Sequence, residues 1–124
     1  MENEISIERI VPNINSNDFE KSKEFYINFL GMNLIMDMEW VITFASYKNP
    51  KAQITIVKTE SPIDINTNPV FLSIEVSDVD KMYEKAKKLN CEITYPITNE
   101  DWGVRRFFVK DPNGTILNLL THIS

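Results

Sequence analysis

The chain has one cysteine, Cys91, and one histidine, His122. A single thiol closes no internal disulfide, which suits a reducing compartment, so the expected location is cytoplasmic. One imidazole and one thiol cannot assemble a His–Cys zinc cluster. Basic residues are in the minority, 13 against 18 acidic ones, giving a net charge of -5. Nucleic-acid binding is therefore not expected, because phosphate contacts need clustered Lys and Arg. A mildly acidic surface tolerates cationic ligands instead. No run of about 18 apolar residues occurs, so no membrane span is expected. The start, MENEISIERI, lacks a basic segment leading into an apolar one, so no secretory signal is expected. GxSxG, P-loop and GxGxxG motifs are absent, which leaves serine-hydrolase and nucleotide-binding readings without support.

What is present is the composition of one packed domain. The chain has 124 residues, 43% hydrophobic and 25% charged, so a core can form and wholesale disorder is not expected. ERIVPNIN, residues 8 to 15, alternates Ile10, Pro12 and Ile14 against Val11, Asn13 and Asn15. That is a strand pattern, and the proline puts it at an edge or a strand end. Asn17 or Asp18 then caps a helix carrying Phe19, Ser22, Phe25, Tyr26, Phe29 and Leu30 at helical spacing, with Gly31 as its left-handed stop. Strands are predicted at 33 to 37, 40 to 46 and 52 to 58, with YKNPK as a hairpin loop between the last two. Residues 59 to 69, TESPIDINTNP, read as a linker.

The pattern then restarts. Leu72, Ile74 and Val76 alternate with Phe71, Ser73 and Glu75. Ser77 or Asp78 caps a helix with Val79, Met82, Tyr83, Ala86 and Leu89, and Asn90 takes the stop position. EKAKK, residues 84 to 88, is the solvated face of that helix. Strands follow near 91 to 95, 103 to 109 and 115 to 122, the last two joined by the turn DPNG. Asp18 and Asp78 are 60 residues apart, and FEKSKEFY and VDKMYEKA fall in register. The chain is thus an internal repeat: module one from about 6 to 58, the linker, and module two from about 70 to 123. Two units too small to bury a face alone are expected to pack their sheets together within one domain.

The paired βαβββ order, DFEKSKEFYINFLGMNL and WGVRRFFVKDPNGTILNL together resemble the vicinal oxygen chelate superfamily. That group includes glyoxalase I, bleomycin-resistance proteins, fosfomycin-resistance enzymes and extradiol dioxygenases. The resemblance covers nearly the whole chain, with Phe19 where the helix motif usually has leucine. Trp-Gly-x-Arg followed by Asp-Pro-x-Gly is more typical of the bleomycin-resistance branch. The implied fold is α+β, two tandem βαβββ modules whose curved mixed sheets surround a cup.

The metal-dependent relatives carry His, Gln or Glu at four strand positions. Counted from the local motifs, the resemblance carries these onto Val11, Phe71 and Asn118, with Thr55 within one or two residues of the fourth. Val11 and Phe71 have no donor, and Thr55 and Asn118 are neutral. A divalent ion prefers anionic oxygen or imidazole, so no metal and no cofactor is expected at the usual place.

A cup whose ligating groups are replaced by Val and Phe is an apolar pocket with a few orienting polar groups. The candidate ligand-binding residues are Asn13, Trp40, Phe71, Glu75, Trp102, Arg105 and Asn118. Glu75 is either a partner for a cationic ligand or a general base, or else a solvated residue or a salt-bridge partner of Arg105 or Arg106. Trp40 and Trp102 either stack on a planar ligand or cap the core. Arg105 and Arg106 alternate to opposite faces, and which of them turns inward stays open. His122, on the side of Asn118 by alternation, is a rim base or a polar strand end. Phe25, Tyr26 and Phe29 are core, and Cys91 is an inert thiol. No residue is singled out as catalytic.

The resulting expectation is a metal-free protein that sequesters a planar or cationic small molecule, with two chains forming a homodimer as relatives commonly do. The alternatives are two. One is a lyase, isomerase or dioxygenase-like enzyme with an unusual metal site at Glu75 and His122, or with Glu75 as acid–base. The other is a dimer whose cup is filled by its own side chains.

Overall fold

Asp18 and Asp78 open the two helices in the same way. Each side chain accepts from the backbone N–H three residues on, Lys21 at 3.1 Å and Lys81 at 3.0 Å, satisfying a donor that has no partner inside the helix. The computed structural model describes residues 8–58 and 70–123, so the linker expected at 59 to 69 lies outside the described residues.

The first module runs β1 (Asn13–Ser16), α1 (Phe19–Lys23), a π-helical segment (Glu24–Phe29), β2 (Asn33–Asp37), β3 (Val41–Ala45) and β4 (Gln53–Lys58). The second runs β5 (Phe71–Glu75), α2 (Val79–Lys88), β6 (Glu92–Asn99), β7 (Val104–Lys110) and β8 (Ile116–His122). Gly31 and Asn90 end the helical stretches at positive φ, 70° and 58°, as their shared stop position requires.

Three details differ from the sequence reading. β6 continues through Pro96 to Asn99, past the expected end near 95. β1 begins only at Asn13, because Pro12 has no N–H to give, although its carbonyl still accepts from Thr55 at 2.9 Å. The single helix expected from Asp18 to Leu30 widens after Lys23 into the π-helical segment, closed by a Leu30 N–H to Phe25 carbonyl bond of 3.1 Å. The widened part carries the buried rings of Phe25, Tyr26 and Phe29, whose neighbouring centroids lie 5.0 and 5.1 Å apart.

Each module makes one four-stranded mixed sheet, in the orders β1-β4-β3-β2 and β5-β8-β7-β6. In both, the first strand pairs in parallel with the last, and the rest is antiparallel. One face of each sheet packs against its helix. Ile14, Ile42, Phe44, Ile54 and Ile56 do so in the first, and Phe107, Val109, Leu117 and Leu119 in the second, all in one continuous core. The other face is termed the cup face below.

The expected packing of the two modules takes a specific form. Among the described residues no strand of one sheet pairs with a strand of the other. The joint combines the shared apolar core with a buried polar network. Tyr26 donates to Asp111 at 2.7 Å, and Asn113 Nδ2 donates to Ser22 Oγ at 3.0 Å. The helix motif of one module is thereby bonded to the DPNG turn of the other.

Candidate functional site

The turn DPNG sets the register of the second sheet. Asp111 accepts from the backbone N–H groups of Asn113 and Thr115 at 2.9 and 2.8 Å, closing the loop. Lys110 then pairs with Ile116, Phe108 with Asn118, and Arg106 with Leu120. Because side chains alternate along a strand, Arg106, Phe108 and Asn118 share the cup face, while Phe107 and Val109 enter the core. On the other side of β8, Ser73 pairs with Asn118 and Phe71 with Ile116. On the far side of β7, Tyr95 pairs with Phe108.

The result is an aromatic cluster around one guanidinium. Phe108 lies 4.9 Å from Tyr95 and 6.4 Å from Phe71, centroid to centroid. The Arg106 Cζ sits 4.8 Å from the Phe108 ring, 5.1 Å from Trp102 and 5.6 Å from Tyr95, within cation–π range of all three. Arg106 Nε donates to Glu100 Oε2 at 2.7 Å, and the Tyr95 hydroxyl donates to the same oxygen at 3.1 Å. At the rim, His122 Nδ1 and Glu75 Oε2 are 2.9 Å apart, both well exposed. Asn118 is 6% exposed. Its Nδ2 donates to Ser73 Oγ at 3.0 Å, and its Oδ1 is buried with no hydrogen-bond partner among the described residues. A cleft of about 880 Å³ runs along β5 and is lined in part by Phe71, Ser73 and Glu75.

Four of the seven candidate residues, Phe71, Glu75, Trp102 and Asn118, thus lie on or beside one face. Arg105 does not. It points to the helix side, where it binds Asp80 through Nε at 3.1 Å and Nη2 at 2.8 Å and Asn99 at 2.9 Å. That hydrogen bond lowers the Asp80 carboxyl below its ordinary pKa. Arg106 takes the inward place because it is two residues, one full alternation, from Phe108. Neither arginine reaches Glu75, which pairs with His122 instead. Asn13 stands on the cup face of the first sheet, exposed, with Nδ2 donating to the Val11 carbonyl at 3.0 Å. Trp40 is 58% exposed and precedes β3 in the first module, apart from the cluster.

Sequence reasoning missed Tyr95, Phe108 and Glu100. Phe108 and Arg106 were legible in principle, since the loop centred on Asn113 places 108 opposite 118. Tyr95 was not, because the β6–β7 register shifts on both sides of it.

The positions of the metal ligands in metal-dependent relatives can be checked on the same register. Asn13 pairs with Thr55 as Ser73 pairs with Asn118, and 73 less 13 is the repeat of 60 residues, so Thr55 is the counterpart of Asn118. Thr55 Oγ1 is already hydrogen-bonded to Thr43 Oγ1 at 2.8 Å. Val11, Thr55, Phe71 and Asn118 offer no carboxylate or imidazole, and no group of three His, Cys, Asp or Glu that could hold an ion occurs among the described residues. This donor set does not fit a resident metal ion.

The paired modules and their motifs have counterparts in known proteins. Residues 6–119 match the Glyoxalase/Bleomycin resistance protein/Dioxygenase superfamily, and the chain belongs to it. The uncharacterized protein YraH of Bacillus subtilis (strain 168) is 27% identical over 116 residues, covering 83% of this chain and 89% of the relative. The crystal structure of a bleomycin resistance determinant encoded on the transposon Tn5 superposes with a TM-score of 0.76 at 18% identity, covering 94% of this chain and 98% of that one. TioX from Micromonospora sp. ML1 gives 0.74 at 16% identity, covering 93% and 98%. At these identities the two structures speak for the fold alone.

Proposed function

We propose that this chain binds a small planar organic molecule on the cup face of its second sheet, without a resident metal, and holds it rather than transforms it. The observation that carries this reading is the Phe71, Tyr95, Trp102 and Phe108 cluster around Arg106. Aromatic rings with a few fixed polar groups are the usual lining of a small-molecule site. The fold shared with a bleomycin resistance determinant supports a small-molecule ligand by analogy. Two chains pair so that their cup faces complete the site, and the protein works in the cytoplasm.

Tryptophan fluorescence tests this, since Trp102 is 65% exposed beside the cluster. Titration of metal-free protein with planar aromatic compounds should quench it saturably. Stoichiometric uptake of Ni, Zn, Mn or Fe at the cup, with no aromatic bound in its absence, would reject the reading.

A second reading rests on the Glu75–His122 pair at 2.9 Å, a carboxylate beside an imidazole at the rim of the same face. That arrangement suits proton abstraction from a bound ligand. Exchange of ligand protons with deuterated solvent, abolished by Glu75→Gln, would favour an acid–base enzyme over a sequestering protein.

A further inference from the structure

Resting on the binding reading above, we propose a ligand class for this face: a neutral planar aromatic with a hydrogen-bond acceptor at one end and an N–H or O–H donor at the other. Charge excludes the simpler alternatives. A cation would seek the faces of the rings, but the guanidinium of Arg106 already lies over Phe108, Trp102 and Tyr95. An anion would seek Arg106, but Glu100 already balances that charge at 2.7 Å, and Glu75 adds a second carboxylate to the face. A neutral ring meets neither penalty.

The two polar ends follow from what the chain leaves unused. Arg106 spends only Nε on Glu100, so among the described residues its terminal nitrogens are bonded to nothing and can donate to a carbonyl. Asn118 supplies the opposite need. Among the described residues its Oδ1 is buried without a partner, and such an acceptor is costly until a donor reaches it. Turning the amide over would only exchange an unpaired acceptor for an unpaired donor, because Ser73 can serve one amide atom at a time. Asn118 stands directly opposite Phe108, and Arg106 is diagonal to it. Diagonal neighbours on a sheet face are roughly 7 Å apart, which one ring with groups at opposite ends can span while lying against Phe108.

The test uses four probes at pH 7 on the full chain, read by Trp102 fluorescence and calorimetry: 4-hydroxybenzamide, its methyl ether 4-methoxybenzamide, 4-hydroxybenzoate and 4-hydroxybenzylammonium. The hydroxy amide should bind tightest. The methyl ether, which cannot donate to Asn118, should bind about tenfold more weakly. Asn118→Leu should bring that ratio close to one. Equal binding of amide and ether, or tighter binding of the anion or cation, overturns the ligand class and leaves the binding reading standing. Failure of all four to bind overturns both the ligand class and the binding reading. Should Asn118→Leu not fold, the ratio measured on the natural chain decides alone.

Discussion

The hydroxyl of Tyr26 donates to Oδ2 of Asp111 at 2.7 Å, across 85 residues of sequence and from one module to the other. Both groups are buried, and Oδ1 of the same carboxyl holds the DPNG loop that sets the register of Arg106, Phe108 and Asn118. The joint between modules and the geometry of the cup face therefore share one side chain.

Tyr26→Phe should destabilise the fold by about 2 kcal/mol, since it deprives a buried carboxyl of its side-chain donor from the other module. Burial, then the nearby Asp111 charge, pushes the Tyr26 phenol well above its ordinary value. The unfolded chain thus ionises first, and stability present below about pH 10 is lost as pH rises further. Urea unfolding between pH 8 and 11 checks both points. The gap between natural chain and variant should narrow above pH 10, and a constant gap would contradict the assigned cause.

Asp111 behaves oppositely to a salt-bridged carboxylate. Burial raises its pKa, and the hydrogen bonds from Tyr26, Thr115 and Asn113 only partly oppose this. A raised folded value means that its contribution is complete below the unfolded value of about 3.9 and declines as pH rises through the folded one. Asp111→Asn should therefore show a larger stability deficit at pH 4 than at pH 7 in denaturant titrations.

Arg106→Ala should cost about 2 kcal/mol, because it removes the guanidinium from three ring faces and takes from the mostly buried Glu100 carboxylate its ion-pair partner, leaving the Tyr95 hydroxyl bond. The same change should shift Trp102 emission, its ring having lost the nearby cation. Arg105→Ala, acting on an exposed pair with Asp80, should leave stability nearly unchanged and Trp102 emission unaltered. Chemical denaturation followed by intrinsic fluorescence distinguishes the two arginines.

Cys91 is half-buried, and desolvation raises its thiol pKa. Iodoacetamide at pH 7.5 should label the folded protein roughly tenfold more slowly than the urea-unfolded chain, as expected for a thiol with little thiolate. Fast labelling of the folded form would mean that Cys91 has an activating neighbour.

The amino-acid sequence by itself determined the repeat, the two capped helices with their left-handed stops, and the lack of metal donors at Val11, Thr55, Phe71 and Asn118. These are local properties: a cap needs only Asp18 and the N–H of Lys21, and alternation in β5 and β8 assigns each residue to a face. Only the tertiary structure decided that Tyr26 meets Asp111, that Arg106 rather than Arg105 lies among the rings, that Glu75 pairs with His122, and that the Asn118 oxygen is unpaired among the described residues. Each of those depends on which strands lie side by side and in what register. The β6–β7 bulges change that register after the local pattern has been read, and a parallel pair such as β5–β8 brings together residues 45 apart that no short-range spacing relates.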